Sequence, residues 1–232
     1  MAHEDQSVLT IALIYPELLG TYGDGGNAVV LAERARRRGF EAEVVNVGID
    51  DDVPEATIYL LGGGEDGPQR LGTDLLRASS FSARVRDGNF VFAVCAGLQL
   101  LGTSFCVEGN DEYEGLSLVN AITSRGETRS VGELVVRVDG RALVGFENHG
   151  GRTTLGDDVE SLGRVEVGRG NDGTVDGFRT PALWASYAHG PVLAMNPWFA
   201  DKVLARALGR ELEPLITVAD QLYNERVATL AL

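Results

Sequence analysis

The sequence has few of the residues that build metal sites and disulfide frameworks: among 232 residues there are only two cysteines and three histidines. They are Cys95, Cys106, His3, His149 and His189. No pair of them has the CxxC or HExxH spacing of a zinc site. If residues 96–105 form a helix, a rise of about 1.5 Å per residue separates the two sulfur atoms by about 15 Å, too far for a disulfide. We therefore expect no metal site and two free thiols, as in a reducing compartment.

Long hydrophobic runs and an excess of basic residues are also absent. No apolar run reaches the roughly 20 residues that a membrane span needs. The N-terminal segment MAHEDQSVLTIALIYP has no basic region before its apolar stretch, so it predicts a first core strand and not a signal peptide. Lys and Arg number 20 against 34 Asp and Glu, which gives a net charge of −14. So acidic a surface repels phosphate backbones and anionic lipid. We expect a cytoplasmic protein with no membrane span and no nucleic-acid partner.

What the sequence does contain is typical of a globular enzyme, with 44% hydrophobic and 23% charged residues. It shows no repeat, no low-complexity tract and no Pro/Ser-rich linker. Apolar strand patterns alternate with helical patterns, which favours a parallel sheet. We therefore predict one α/β domain over residues 1–232, with a doubly wound, mostly parallel sheet and helices on both faces, extended by antiparallel strands.

The predicted elements follow from apolar runs, helical spacing and glycine stops. Strands are predicted over 8–15, 42–47, 56–61, 89–94 and 183–187. Helices are predicted over 27–38, 73–86, 199–208 and 216–230. The antiparallel extension is predicted from alternating segments over 132–138, 142–147 and 162–167.

Cys95 is the candidate nucleophile. It lies between the apolar strand 89–94 and a predicted helix, with the small residues Ala96 and Gly97 beside it. Such a strand–turn–helix elbow exposes a nucleophile, and the helix N-terminus favours the thiolate. N–H groups there can also bind an oxyanion. The alternative is a buried structural cysteine, as we expect for Cys106.

His189 is the candidate base, because it ends the apolar strand 183–187 and is followed by Gly190 and Pro191. It would take the thiol proton and later pass it to leaving ammonia. His149 also follows a β segment, so spacing alone does not exclude it. In an open α/β sheet, ligands bind at the carboxyl ends of the strands. Cys95 and His189 are both expected there.

A glycine-rich run, GGGEDG over residues 62–67, follows the third predicted strand. It matches the GxGxxG pattern of dinucleotide sites, but it does not follow the first strand, and with Pro68 the next segment does not open as a clear helix. We favour a loop whose N–H groups face Cys95 and complete an oxyanion hole.

Six motifs occur together: YGDGGN (22–27), GGGED (62–66), VCAGLQ (94–99), RSVGE (129–133), GFENHGGRT (145–153) and YAHG (187–190). In this order, the chain resembles the class I glutamine amidotransferases across residues 8–198. Within that class it is most similar to the CobB/CobQ-like branch, and there to the GatD-type subunits of lipid II isoglutaminyl synthases. The cysteine elbow carries the likeness to the class, and the first and fifth motifs carry the likeness to the branch.

The resemblance implies that Cys95 and His189 are the catalytic pair and that Arg129 holds glutamine. Arg125, its neighbour, is expected to be dispensable. We also expect Gly64, Ala96 and Gln99 to contact the substrate. The resemblance further implies that ammonia passes to a MurT-like Mur-ligase subunit in a heterodimer. That subunit would use ATP and Mg²⁺ to activate the D-glutamate α-carboxylate of lipid II, and this chain would need no cofactor.

Pro191 stands where many class I members have a glutamate that orients the histidine. This gap predicts a chain that is a poor glutaminase by itself, with the missing carboxylate supplied by an aspartate of the ligase subunit. Two other functions stay open from the sequence. One is a cobyrinate-type amidotransferase subunit, and the other is a non-enzymatic Rossmann-like nucleotide-binding module.

Overall fold

The computed structural model describes residues 8–107 and 111–230. His3 and the rest of the first seven residues lie outside this description. The strands are β1 (Leu9–Ile14), β2 (Ala42–Val47), β3 (Ile58–Leu61), β4 (Phe90–Val94), β5 (Ser104–Cys106), β6 (Glu112–Glu114), β7 (Ala121–Val138), β8 (Arg141–Leu155), β9 (Gly163–Val167), β10 (Val175–Asp176), β11 (Phe178–Arg179) and β12 (Leu183–Ser186). The helices are α1 (Gly26–Arg36), α2 (Asp66–Ala78), α3 (Phe81–Arg86), α4 (Ala96–Leu101), α5 (Val192–Met195), α6 (Pro197–Leu208) and α7 (Val218–Thr229).

The first sheet has the strand order β11-β12-β4-β3-β1-β2. All of its neighbouring pairs are parallel except β11 with β12. The central strand β4, with the sequence FVFAV, is buried at every position, as expected for a parallel strand covered on both faces. Among the helices, α1 contacts α5 and α6, and α2 contacts α3 and α4. The predicted α/β fold with a mostly parallel sheet is confirmed.

The register of the central strands brings their carboxyl ends to one edge of the sheet. Leu61 of β3 lies opposite Ala93 of β4, and Val94 of β4 lies opposite Ser186 of β12. The residues that follow these three strands are therefore neighbours in space. They include the glycine run 62–64, Cys95 and His189.

The prediction of one helix over 73–86 is wrong in two respects, the residue at which the helix starts and its continuity. The helix begins at Asp66, directly after the glycine run, and Ser79 in an extended conformation separates α2 from α3. Pro68 lies in the first turn of α2, where a helix does not need the missing N–H group. The segment after the glycine run therefore does open as a helix, contrary to the sequence-based expectation.

The condition that residues 96–105 form one helix is not met, because α4 ends at Leu101 and β5 follows it. The distance between the Cys95 and Cys106 sulfur atoms that was estimated for one straight helix therefore does not apply. Both cysteines are free thiols, as predicted.

The second sheet contains the predicted extension, in the order β10-β9-β7-β5-β6 with β8 paired to β7. Its strand pairs are antiparallel except β5 with β7. β7 and β8 are much longer than predicted, at 18 and 15 residues. Their pairing shifts register between Arg125 and Ser130, so residues 126–129 bulge out of the ladder. In the described part of the chain, no helix is both long and apolar enough to cross a membrane.

Candidate active site

Cys95 lies on a strained turn between β4 and α4. Its φ of 52° and ψ of −106° belong to a region that residues other than glycine rarely adopt. Such strain costs on the order of 1–3 kcal/mol and is common at active sites. Gly97 permits the close approach of the turn to β3, because a Cβ atom there would meet the carbonyl oxygen of Leu61 at 2.8 Å. The nucleophile elbow predicted from the sequence is thus formed.

The Cys95 thiol is protonated in this environment. Burial, helped by the negative charge of Asp24, raises its pKa to about 12, although the Ala96 N–H group and Arg129 act in the opposite direction. The sequence-based expectation that the helix N-terminus favours the thiolate is therefore not met, because desolvation of the buried thiol outweighs the contacts that favour its charged form. A thiol in this state needs a base to remove its proton.

His189 has one nitrogen fixed and one free. Its Nδ1 lies 2.9 Å from Oδ2 of Asp24, and both side chains are buried. Its Nε2 is also buried and has no hydrogen-bond partner within the described ranges. If Nδ1 carries the proton and donates it to Asp24, Nε2 keeps a lone pair, which is the tautomer that a general base requires. This is the arrangement of the histidine and carboxylate in a catalytic triad.

The expectation that this chain provides no carboxylate for His189 is wrong. Asp24 lies 165 positions earlier, in the loop before α1, and fills the role that Pro191 leaves open. Oδ2 of Asp24 also accepts a hydrogen bond of 2.9 Å from the N–H group of Gly63, which fixes the carboxylate. That an aspartate of the ligase subunit also reaches the site, and that the chain alone is a poor glutaminase, stays a prediction.

His149, the alternative base, has neither ring nitrogen available. Its Nε2 lies 3.0 Å from a carboxylate oxygen of Glu147, and its Nδ1 lies 3.0 Å from the carbonyl oxygen of Gly151. Burial raises the pKa of Glu147, but hydrogen bonds from His149 and from the Gly170 N–H group outweigh it, so the net shift is downward. Glu147 is therefore an ionised acceptor, and both ring nitrogens of His149 are engaged by oxygen atoms other than a substrate's.

The glycine run 62–64 packs tightly beside the site. A Cβ atom at Gly63 would meet Cε1 of His189 at 2.6 Å, and one at Gly64 would meet the carbonyl oxygen of Leu18 at 2.6 Å. The N–H group of Gly64 has no acceptor among residues 8–107 and 111–230. The Ala96 N–H group is directed at the Cys95 sulfur. These two groups form a suitable pair of oxyanion donors.

A cavity next to Cys95 is lined by all four residues that the sequence predicts to contact the substrate. Gly64, Ala96, Gln99 and Arg129 all line it with Cys95. His189 does not line it, because its ring is fully buried. Two residues expected to lie apart from the site, Arg125 and Cys106, also line this cavity.

Gln99 contributes to the cavity wall with both ends of its amide engaged. Its Oε1 accepts a hydrogen bond from Gln69, and its Nε2 donates to the Tyr187 hydroxyl at 3.2 Å. The Tyr187 hydroxyl also lies 2.7 Å from Oγ1 of Thr153, and its ring stacks 3.8 Å from that of His149. This network fixes the wall behind Cys95.

Sequence reasoning assigned no role to Asp24, Tyr22 or Asn148, although the motifs YGDGGN and GFENHGGRT contain them. One signal was available for Asp24: it is an acidic residue in the loop that follows the carboxyl end of β1. Nothing in the local pattern indicates which histidine it would reach.

This geometry defines an α/β enzyme with a cysteine nucleophile elbow and a His–Asp pair on the neighbouring loops. Residues 10–197 match the CobB/CobQ-like glutamine amidotransferase domain. The chain therefore belongs to the CobB/CobQ-like glutamine amidotransferases. The predicted resemblance is confirmed, and the non-enzymatic nucleotide-binding alternative is wrong.

Two relatives narrow the assignment within the family. The chain is 33% identical over 210 residues to the lipid II isoglutaminyl synthase (glutamine-hydrolyzing) subunit GatD of Staphylococcus aureus, covering 88% of this chain and 86% of that protein. It is 34% identical over 212 residues to the GatD subunit of Streptococcus pneumoniae, covering 88% and 82%. A crystal structure of a glutamine amidotransferase shares the fold at a TM-score of 0.59 and 22% identity, covering 86% of this chain and 98% of that chain.

Proposed function

We propose that this chain is the glutamine-hydrolysing subunit of a lipid II isoglutaminyl synthase, with Cys95 as nucleophile and His189 as base. The observation that carries the proposal is the buried His189–Asp24 pair, with Nε2 of His189 unpartnered among the described residues. His189 follows β12, whose last residue lies opposite Val94, next to the Cys95 elbow. Similarity to two GatD subunits over 88% of the chain supports the choice of lipid II over a cobyrinate substrate.

The reaction follows from the available groups. Nε2 of His189 takes the Cys95 proton, and the sulfur attacks the side-chain amide carbon of glutamine. The N–H groups of Gly64 and Ala96 stabilise the oxyanion. The carbon–nitrogen bond then breaks, ammonia leaves with the proton from His189, and a thioester remains. His189 next deprotonates a water molecule that attacks the thioester, and glutamate is released as the thiol is restored.

Arg129 holds the α-carboxylate of glutamine in this proposal. Its guanidinium lines the cavity and is held in place by Nε, which donates to Oδ1 of Asn148 at 2.6 Å. Within the described residues, its Nη1 has no acceptor. A guanidinium edge presented in this way suits a carboxylate.

The ammonia acceptor lies on a partner. The relatives are named as subunits, and we propose that a MurT-like ligase subunit receives the ammonia in the cytoplasm. That subunit would bind ATP and Mg²⁺ and activate the D-glutamate α-carboxylate of lipid II. The present chain then has no cofactor of its own.

The test measures glutamate release from L-glutamine by the chain co-purified with its native partner. Cys95→Ala and Cys95→Ser should lower the rate by at least about 10³-fold, as loss of a nucleophile does in other enzymes. The same complex with ATP should transfer nitrogen from glutamine to lipid II and not to a cobyrinate.

Cys106 provides the matched control for labelling, because it is a free thiol that a reagent in the same cavity can also reach. Cys106→Ser should keep activity, and a diazoketone analogue of glutamine should label Cys95 alone. Labelling of Cys106 alone, or full activity in Cys95→Ala, would remove Cys95 from the mechanism.

A further inference from the structure

Tyr22 is the residue that physically connects the proposed base to the proposed glutamine receptor. Its half-buried ring lies 4.6 Å from the His189 ring, measured between centroids, at an interplanar angle of 60°. Phe146 stacks on the same imidazole at 5.4 Å, and it meets the Tyr22 ring edge-on at 6.0 Å. The rings of Tyr22 and Phe146 cover part of the His189 ring and help to keep it out of contact with the cavity.

The hydroxyl of Tyr22 is held from the other side by the residues at the cavity mouth. Nδ2 of Asn148 donates to it at 2.8 Å, and Nη2 of Arg129 donates at a longer 3.4 Å. Arg129 is further bound to Asn148 through its side-chain and backbone oxygens. The orientation of the Tyr22 ring thus depends on the positions of Arg129 and Asn148.

We propose that Tyr22 is a positioning residue that couples binding of the glutamine α-carboxylate at Arg129 to the placement of His189. This inference rests on the proposed roles of Arg129 and His189. An arriving carboxylate competes for the Nη2 proton of Arg129, and the long bond to Tyr22 is the one most easily given up. Loss of that bond leaves the hydroxyl held by Asn148 alone, so the ring can shift, and the imidazole beneath it then reaches the Cys95 thiol.

The consequence is substrate discrimination in the chemical step. An amide without an α-carboxylate can enter the cavity, but it leaves the Arg129–Tyr22 contact intact and His189 covered. Glutamine is then favoured over such an amide in kcat as well as in KM, because part of its binding energy places the catalytic group.

The experiment compares L-glutamine with 4-aminobutanamide, which is glutamine without its α-carboxylate, as substrates of the full chain with its partner. In the parent enzyme, we expect kcat to be at least tenfold higher for glutamine. In Tyr22→Phe, which keeps the ring and loses the hydroxyl, the ratio of the two kcat values should fall to within about twofold. The ratio of the KM values should remain, because Arg129 is still present.

Two further variants make the result specific. Tyr113→Phe removes a hydroxyl that bonds Asp74 outside the site, and it should leave both ratios at their parent values. Asn148→Ala removes the shorter bond to Tyr22 and should lower the kcat ratio as Tyr22→Phe does.

An unchanged kcat ratio in Tyr22→Phe overturns the coupling, including the case in which neither enzyme turns over the analogue. A purely structural Tyr22 predicts that outcome. Failure of the proposed function gives a different result, since the parent complex would then release no glutamate from glutamine, or Cys95→Ala would release it as fast as the parent.

Discussion

Asp24 influences both catalytic groups through one side chain. Its Oδ2 binds His189 and the N–H group of Gly63, and its charge helps to raise the pKa of Cys95. The carboxylate therefore favours a correctly oriented base and disfavours a resting thiolate. The enzyme gains a thiol that is ionised only when His189 accepts its proton, which protects Cys95 from side reactions between turnovers.

Asp24→Asn separates these two effects. Turnover of glutamine should fall by about 10²–10⁴-fold, because an asparagine amide can select the wrong tautomer of His189. Alkylation of Cys95 by iodoacetamide, measured in a Cys106→Ser background, should become faster at a given pH because a negative charge is lost. With Asp24 present, the pKa of about 12 predicts an alkylation rate that rises roughly tenfold per pH unit from pH 7 to pH 10.

Asp158→Asn is the control for this experiment, because Asp158 is exposed and bonds only Asn120 among the described residues. It should change neither turnover nor alkylation. Parental turnover in Asp24→Asn would mean that His189 is oriented by another group.

At the scale of elements, the β7–β8 hairpin supplies the mouth of the cavity. Arg125 of β7 pairs with Gly151 of β8, and Ser130 pairs with His149, so four residues of β7 lie opposite one of β8. The bulge turns Arg129 toward Asn148 and the cavity. Arg129 thus lies outside the regular ladder, where its side chain reaches both Asn148 and the cavity.

Arg129→Ala should raise the KM for glutamine by about 10–100-fold, since a charge-assisted hydrogen bond contributes about 1.5–3 kcal/mol. Arg86→Ala, an exposed change at the end of α3, should leave KM unchanged. Arg125, which the sequence suggested as the control, is unsuitable because it lines the same cavity. Similar, mild effects of Arg129→Ala and Arg86→Ala in steady-state kinetics would make Arg129 an ordinary surface residue.

At the scale of the whole molecule, the Arg34 side chain links α1 to α6 and α7. Its guanidinium donates to both oxygens of Asp201 at 2.6 and 2.7 Å and to the carbonyl oxygen of Leu215 at 3.1 Å. Asp220 of α7 lies 3.7 Å away. The Arg34 side chain is only 6% exposed. Because α1 follows directly on the loop that carries Tyr22 and Asp24, this ion-pair cluster fixes the position of that loop.

Arg34→Ala should lower the free energy of unfolding by about 2 kcal/mol, less than the loss of a fully buried pair, because Asp201 is 23% exposed and still has Arg38 at 2.8 Å. The measurement is urea unfolding, with Arg37→Ala as control. Arg37 pairs with Glu33 on the exposed side of the same helix, and its loss should cost less than about 1 kcal/mol. Additive losses in the Arg34→Ala/Asp201→Ala double variant would show that the two side chains do not stabilise each other.

Structural features that depend only on residues adjacent in the chain could be predicted from the sequence. The fully apolar run FVFAV predicts a buried parallel strand, and a cysteine followed by Ala96 and Gly97 predicts a tight elbow, because strand burial and turn sterics are local properties. The elbow at Cys95, the parallel sheet and the family follow from such patterns.

Which side chains contact one another in the site could be read only from the tertiary structure. The pairing of Asp24 with His189, the exclusion of His149 by Glu147, and the entry of Arg125 into the cavity depend on contacts between segments far apart in the chain. The protonation of Cys95 likewise depends on burial by the whole fold. Local periodicity does not show which distant side chain will contact a given residue, or how much water that contact will displace. Hydrogen-bond partners and pKa values depend on both.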